Sequence, residues 1–100
     1  MRELTNDQIR HLRRLGHALK PVVLMGQAGL TQPVLGAINE ALTDHELIKV
    51  RLSAGDRAGR RSQIDAIVRD TGAAEIQFIG QIVVLFRRSG NERKRRIALP

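Results

Sequence analysis

Pro21 and Gly26 bracket four consecutive apolar residues, Val22-Val23-Leu24-Met25, and no other feature of the chain limits its fold so tightly. Proline stops any helix arriving from the N-terminal side, and four apolar residues bounded by Pro and Gly match a short buried strand. No polar residue alternates along the run, so the strand reads as interior, with both faces covered. Covering both faces of a strand takes helices, which predicts an α/β protein.

The flanking segments supply those helices. Thr5 and Gln8 have capping-box spacing, and Ile9, Leu12, Leu15 and Leu19 then fall on one helical face, with Arg10, Arg13, Arg14 and His17 opposite. The first helix is expected from near Asn6 to the stop at Pro21. Thr31 caps a second helix with Pro33 in its first turn and Val34, Leu35, Ile38, Ala41 and Leu42 inward. Gly36 falls on its exposed side, at a cost of about 1 kcal/mol relative to Ala. Leu47 to Leu52 alternates, with Ile48, Val50 and Leu52 on one side and Lys49 and Arg51 on the other, which reads as a half-polar edge strand. Asp56 caps a third helix with a stripe of Ile64, Ile67, Val68 and Thr71, and Gly72 stands at its left-handed stop. Glu75 to Ile79 and Ile82 to Phe86 flank Gly80-Gln81, a pair suited to a type II′ hairpin. The expected order is α-β-α-β-α-β-β: one compact domain over 1–100, with three helices on a four-stranded mixed sheet.

Seventeen Lys and Arg against ten Asp and Glu give a net charge of +7, which suits a polyanion, either nucleic acid or an anionic membrane face. Apolar residues make up 42% of the chain, so the charge is a surface property and not a mark of disorder. Cysteine is absent, which removes disulfides and thiolate metal sites and fits a reducing cytoplasm. Neither a signal-peptide core nor an apolar run approaching 18 residues is present, so a soluble cytoplasmic protein without a membrane partner is expected. Phe78 and Phe86 are the only aromatic residues, too few for a base-stacking surface and more in keeping with a reader of backbone or shape. His11, His17 and His45 lack metal-ligand spacing, and His45 reads as a cationic cap on the second helix. Ser53, Ser62 and Ser89 lack a nucleophile elbow, and no carboxylate pair or Gly-x-x-x-x-Gly-Lys loop marks catalysis. No enzyme activity, cofactor or metal is therefore expected.

The candidate site is Gly26-Gln27-Ala28-Gly29, a Gly-x-x-Gly turn between the first strand and the helix opening at Thr31. Two glycines let a phosphate approach the main chain, and a helix N-terminus favours an anion. The same turn could need glycine for its backbone angles alone, and both readings stand at this point. Arg13 and Arg14 serve either a solvated helix face or a phosphate contact; Lys49 and Arg51 serve either edge protection or the same contact. Arg57, Arg60 and Arg61 crowd the first turn of the third helix, against its dipole, where an anion would relieve them. Residues 88–96, Arg-Ser-Gly-Asn-Glu-Arg-Lys-Arg-Arg, are expected to be a mobile basic extension, either solubilising or a phosphate-capturing arm.

Four blocks in order, Leu19-Lys20-Pro21-Val22-Val23-Leu24, Gly26 to Thr31, His45-Glu46-Leu47-Ile48-Lys49-Val50, and Thr71-Gly72-Ala73 through Gly80 to Leu85-Phe86-Arg87, resemble the CRM domain of bacterial YhbY-like proteins. The resemblance implies a domain similar to the C-terminal domain of translation initiation factor three with an added N-terminal helix. It also implies RNA binding and association with precursors of the large ribosomal subunit, with ribosomal RNA as ligand and ribosomal proteins as neighbours. On that basis Gly26, Gln27, Ala28 and Gly29 are the contact loop, with Lys20, Lys49 and Arg87 as matching basic positions. Arg13, Arg14, Arg51, Arg57, Arg60 and Arg61 join them from charge alone. A ribosome-associated adaptor with incidental RNA contact is the alternative.

Overall fold

The structure, a computed structural model, describes residues 3–100. Its elements are α1 (Asn6–His17), β1 (Pro21–Leu24), α2 (Gln32–His45), β2 (Leu47–Arg51), α3 (Arg57–Thr71), β3 (Ala74–Ile79) and β4 (Ile82–Phe86), followed by a single 3-10 turn, Glu92–Lys94. Local chemistry sets the boundaries where the sequence placed them. Thr5 and Gln8 exchange both capping-box bonds, the Thr31 and Asp56 side chains accept from Val34 N–H and Gly59 N–H, and Gly72 closes α3 at φ +74°. Gly80 takes φ +59° at the first hairpin position while Gln81 stays at negative φ, as a II′ turn requires.

The strands run in the order β1-β2-β4-β3, with β1 parallel to β2 and both β4 pairings antiparallel. This corrects two expectations: β1 is an edge strand, and β2 is internal. Alternation along β2 reports which of its faces is wet and says nothing of its hydrogen-bonding neighbours. Conversely, the unbroken apolar run of β1 sends Val23 and Met25 inward but leaves Val22 52% and Leu24 65% exposed. An edge also suits Pro21, which has no N–H to donate.

Two apolar layers hold the sheet. Between the sheet and α2/α3 lie Val23, Met25, Ile38, Leu42, Ile48, Val50, Leu52, Ile64, Ile67, Val83 and Leu85. On the opposite face Leu12 of α1 packs with Leu47, Ile76, Val84 and Phe86, joined by Ile97 and Leu99 from the C-terminal segment. The expected seam of α1 is corrected in part: Leu12 and Gly16 are its buried residues, whereas Leu15 and Leu19 stay over a third exposed. Gly16 allows the approach, since a Cβ there would lie 3.0 Å from Val84 Cγ1. Past this point α1 ends, and Lys49 and Arg51 occupy the part of the sheet face it leaves uncovered. Gly36 faces open space and nothing in the structure explains it.

Candidate nucleic-acid interface

The glycine turn follows directly from β1. Met25 N–H donates to Arg51 C=O at 3.0 Å, tying the end of β1 to the end of β2, and Gly29 N–H closes the turn on Gly26 C=O at 3.0 Å. Thr31 N–H then bonds Gly29 C=O at 3.1 Å, and α2 begins, aiming the positive end of its dipole at the loop. The two glycines differ in kind. Gly29 sits at φ +76°, a conformation other residues resist, so its backbone alone accounts for it. Gly26 has no positive φ, and a Cβ there would meet nothing within 4 Å. Nothing inside the fold asks for glycine at 26.

Gln63, which the sequence reading missed, braces the adjoining β2–α3 loop. Its Oε1 accepts from Ser53 N–H and Ala54 N–H at 3.3 and 3.2 Å, and its Nε2 donates to Ser53 Oγ at 2.8 Å. A Cβ on Gly29 would lie 3.7 Å from that Nε2 and 3.8 Å from that Oγ, so the β2–α3 loop and the glycine turn are neighbours. One signal was available: Gln63 immediately precedes the buried Ile64 on α3.

The predicted cations separate into three groups. At the loop end, Arg51 pairs in register with Leu24 and its Nη2 donates to Gln81 Oε1 at 3.2 Å. Arg57 opens α3 with its guanidinium 4.6 Å from the Phe78 ring centroid, and Arg60 donates to Ala54 C=O at 3.2 Å while its buried Nε has no partner among the described residues. Arg61 is already spent: it bonds Glu75 and Asp65, and the Glu75 bond above all holds its guanidinium above its usual range. On the α1 side, Arg14 is exposed, Arg13 Nε donates to Ile76 C=O at 3.1 Å, and Lys49 Nζ reaches His17 C=O at 3.4 Å.

At the far end of the sheet, Lys20 borders a groove of about 520 Å³ whose lining includes Leu15, Leu19, Val22 and Leu47. Arg87 is there too, but it faces inward. It donates to Asn39 Oδ1 and C=O, Thr43 Oγ1 and Thr71 C=O at 2.8–3.0 Å, joining α2 to the end of α3. Burial lowers its ordinarily very high pKa. This guanidinium is a structural staple and does not share a surface with the glycine loop.

The residue that closes α2 is Glu46 at φ +65°, where His45 was expected as a cap; His45 is exposed beside it. Glu46 is fully buried, and its carboxylate accepts from Ser89, Arg96 and Ile97 N–H at 2.7, 2.6 and 3.0 Å. Burial alone would raise this carboxyl, but the three amides and Arg88 outweigh it and hold it below the ordinary glutamate value. The basic segment 88–96, expected to be mobile, is tethered by these bonds and by an ion pair of Lys94 with Asp44 at 2.6 Å.

The glycine loop thus sits at the carboxyl ends of two parallel strands, beside basic side chains and the N-termini of α2 and α3, in a small α/β domain. Residues 4–87 match the CRS1 / YhbY (CRM) domain, and the chain belongs to that family. It is 48% identical over 89 residues to an RNA-binding protein of Haemophilus influenzae, covering 89% of this chain and 90% of that one. It is 36% identical over 91 residues to PA4753 of Pseudomonas aeruginosa, named as a probable RNA-binding protein, covering 91% and 88% respectively. The solution structure of SAV1595 from Staphylococcus aureus superposes with a TM-score of 0.81 at 28% identity, covering 98% of this chain and all of that one. Among the described residues no cluster of His, Cys, Asp or Glu could hold a metal, and no helix is long and apolar enough to cross a membrane.

Proposed function

We propose that this protein is a non-catalytic, cytoplasmic RNA-binding domain that associates with ribosomal RNA in large-subunit precursors and assists ribosome assembly, among ribosomal proteins. The observation that carries the reading is Gly26, a glycine that neither backbone angle nor packing requires. Its bare surface lets phosphate oxygens reach the main-chain amides of Gln27 and Ala28, while the α2 dipole and Arg51, Arg57 and Arg60 supply the field. Arg13, Arg14 and Lys49 extend the basic surface along the uncovered sheet face. The names of the relatives support RNA as the polyanion, and the resemblance to YhbY-like proteins supports the ribosomal setting.

Two expected contributors drop out of the reading, because Arg61 is neutralised by carboxylates and Arg87 is buried in bonds. Binding by the remaining cations is mainly electrostatic. With six to ten phosphates neutralised, affinity falls roughly 10³ to 10⁵-fold between 50 and 200 mM salt for a duplex-like site. The direct test is Gly26→Asp, which adds a negative charge in open space without backbone strain. RNA affinity is expected to drop at least tenfold, about 1.4 kcal/mol, with the melting temperature unchanged. Full affinity in the folded variant would overturn the loop as the contact and favour an adaptor docking through the exposed edge of β1.

A further inference from the structure

We infer that residues 88–97 form a second phosphate-binding surface, preassembled by the buried carboxylate of Glu46, that grips RNA at the opposite end of the sheet from the glycine loop. The inference rests on the RNA reading above but takes its cations from Arg93, Arg95 and Arg96, beyond the family match at 4–87. A solubilising tail has no need of a defined path. This one is turned back on itself around a fully buried carboxylate, which receives Ser89 N–H from one limb and Arg96 and Ile97 N–H from the other. Burying a carboxylate is costly unless its hydrogen bonds are replaced, and here the strap replaces them. Ile97 and Leu99 anchor the far limb against the Leu12–Phe86 cluster, and Asn91 Oδ1 accepts from Arg93 N–H at 3.0 Å to set the turn between.

Internal partners decide which cations remain. Lys94 is engaged by Asp44, and Arg88 lies 3.7 Å from Glu46. Arg93, Arg95 and Arg96 are exposed and make no ion pair among the described residues, although Arg95 Nε donates to Ser89 C=O, which orients its guanidinium. Lys20 and His45 line the same groove as Arg96. Forked guanidinium groups on a fixed backbone match phosphate oxygens, and ordering achieved in folding is not charged again at binding. The strap lies at the Leu47–Phe86 end of the sheet and the glycine loop at the Arg51–Ile82 end. Five residues of β2 separate them, about 16 Å at 3.3 Å per residue, more than the screening length of about 10 Å at 0.1 M salt. The two clusters therefore engage different phosphates, and their counterion release adds.

The test uses the full chain and a fluorescent double-stranded RNA about 16 base pairs long, the span of an ordinary double-strand reader. Substituting Arg93, Arg95 and Arg96 together by Ala is expected to reduce the slope of log K against log salt by about 2 to 3. Glu46→Gln keeps every strap cation but loses the acceptor geometry. It is expected to weaken RNA binding several-fold and to speed amide exchange at Arg96 and Ile97. An unchanged slope in the triple variant, with Gly26→Asp still deficient, overturns the second surface and leaves the loop standing. A triple-variant defect with Glu46→Gln at wild-type affinity overturns the preassembly. If neither Gly26→Asp nor the triple variant changes binding, the RNA reading falls with the strap.

Discussion

Arg87 at one end of the sheet and the trio Arg51, Arg57 and Arg60 at the other are treated in opposite ways. At the Arg51 end, the side chains of Arg51, Arg57 and Arg60 each make at most one hydrogen bond among the described residues, and the glycine turn between them is open to solvent. At the Phe86 end, Arg87 makes four bonds to protein acceptors and Glu46 accepts three main-chain N–H groups. The side-chain chemistry is the same; what differs is how many internal acceptors each guanidinium has found. Availability for a ligand is a matter of unsatisfied valence more than of charge, so a count of basic residues overstates the binding surface.

The largest effect that separates the ends is on stability. Arg87→Ala strands the acceptors Asn39, Thr43 and Thr71 C=O and is expected to cost about 2 to 4 kcal/mol in urea denaturation, while RNA affinity of the folded protein stays within twofold. A stable Arg87→Ala protein with weak RNA binding would erase the distinction between the ends. Next, Gly29→Ala, forced to φ +76°, is expected to lose about 1 to 2 kcal/mol, whereas Gly26→Ala stays within about 0.5 kcal/mol. Equal losses at both would return the loop to a purely conformational role.

A smaller and local effect follows from pH. Since the Glu46 carboxyl is held below its ordinary value of 4.5, its contribution is complete above that pH and is lost as pH falls through the depressed folded value. Amides of Ser89, Arg96 and Ile97 are expected to lose exchange protection on acidification before those of β2 and β4. Simultaneous loss throughout the domain would show that the strap is not a separable unit. The least effect is expected of Arg61→Ala: its pairs are half-exposed, worth about 0.2 to 1 kcal/mol, and RNA affinity should not move in a filter-binding assay.

The parts legible in the sequence are those encoded within a few residues. Thr5, Thr31 and Asp56 marked helix starts, Gly72 a stop and Gly80-Gln81 a hairpin, because caps and turns are local physics. Strand order was not legible, since Val22 to Met25 shows the same pattern at an edge as in an interior when only alternate residues are buried. The inward bonds of Arg87 were not legible for a related reason: its acceptors lie on α2 and at the end of α3, far away in sequence. The Asn39 and Thr43 pair, one helical turn apart and polar beside the buried Ile38 and Leu42, was the signal for it. Glu46, a carboxylate set directly before Leu47-Ile48, was similarly visible as an acid flanked by core. Its partners 43 to 51 residues downstream were not.

That distance also has a bearing on synthesis. Translation at 5 to 20 residues per second leaves about 2.5 to 10 s between the addition of Glu46 and that of its last amide donor. Over that interval the nascent sheet carries an anion it has no means of neutralising by main-chain contacts, so the strap closes only after residue 97 has been added.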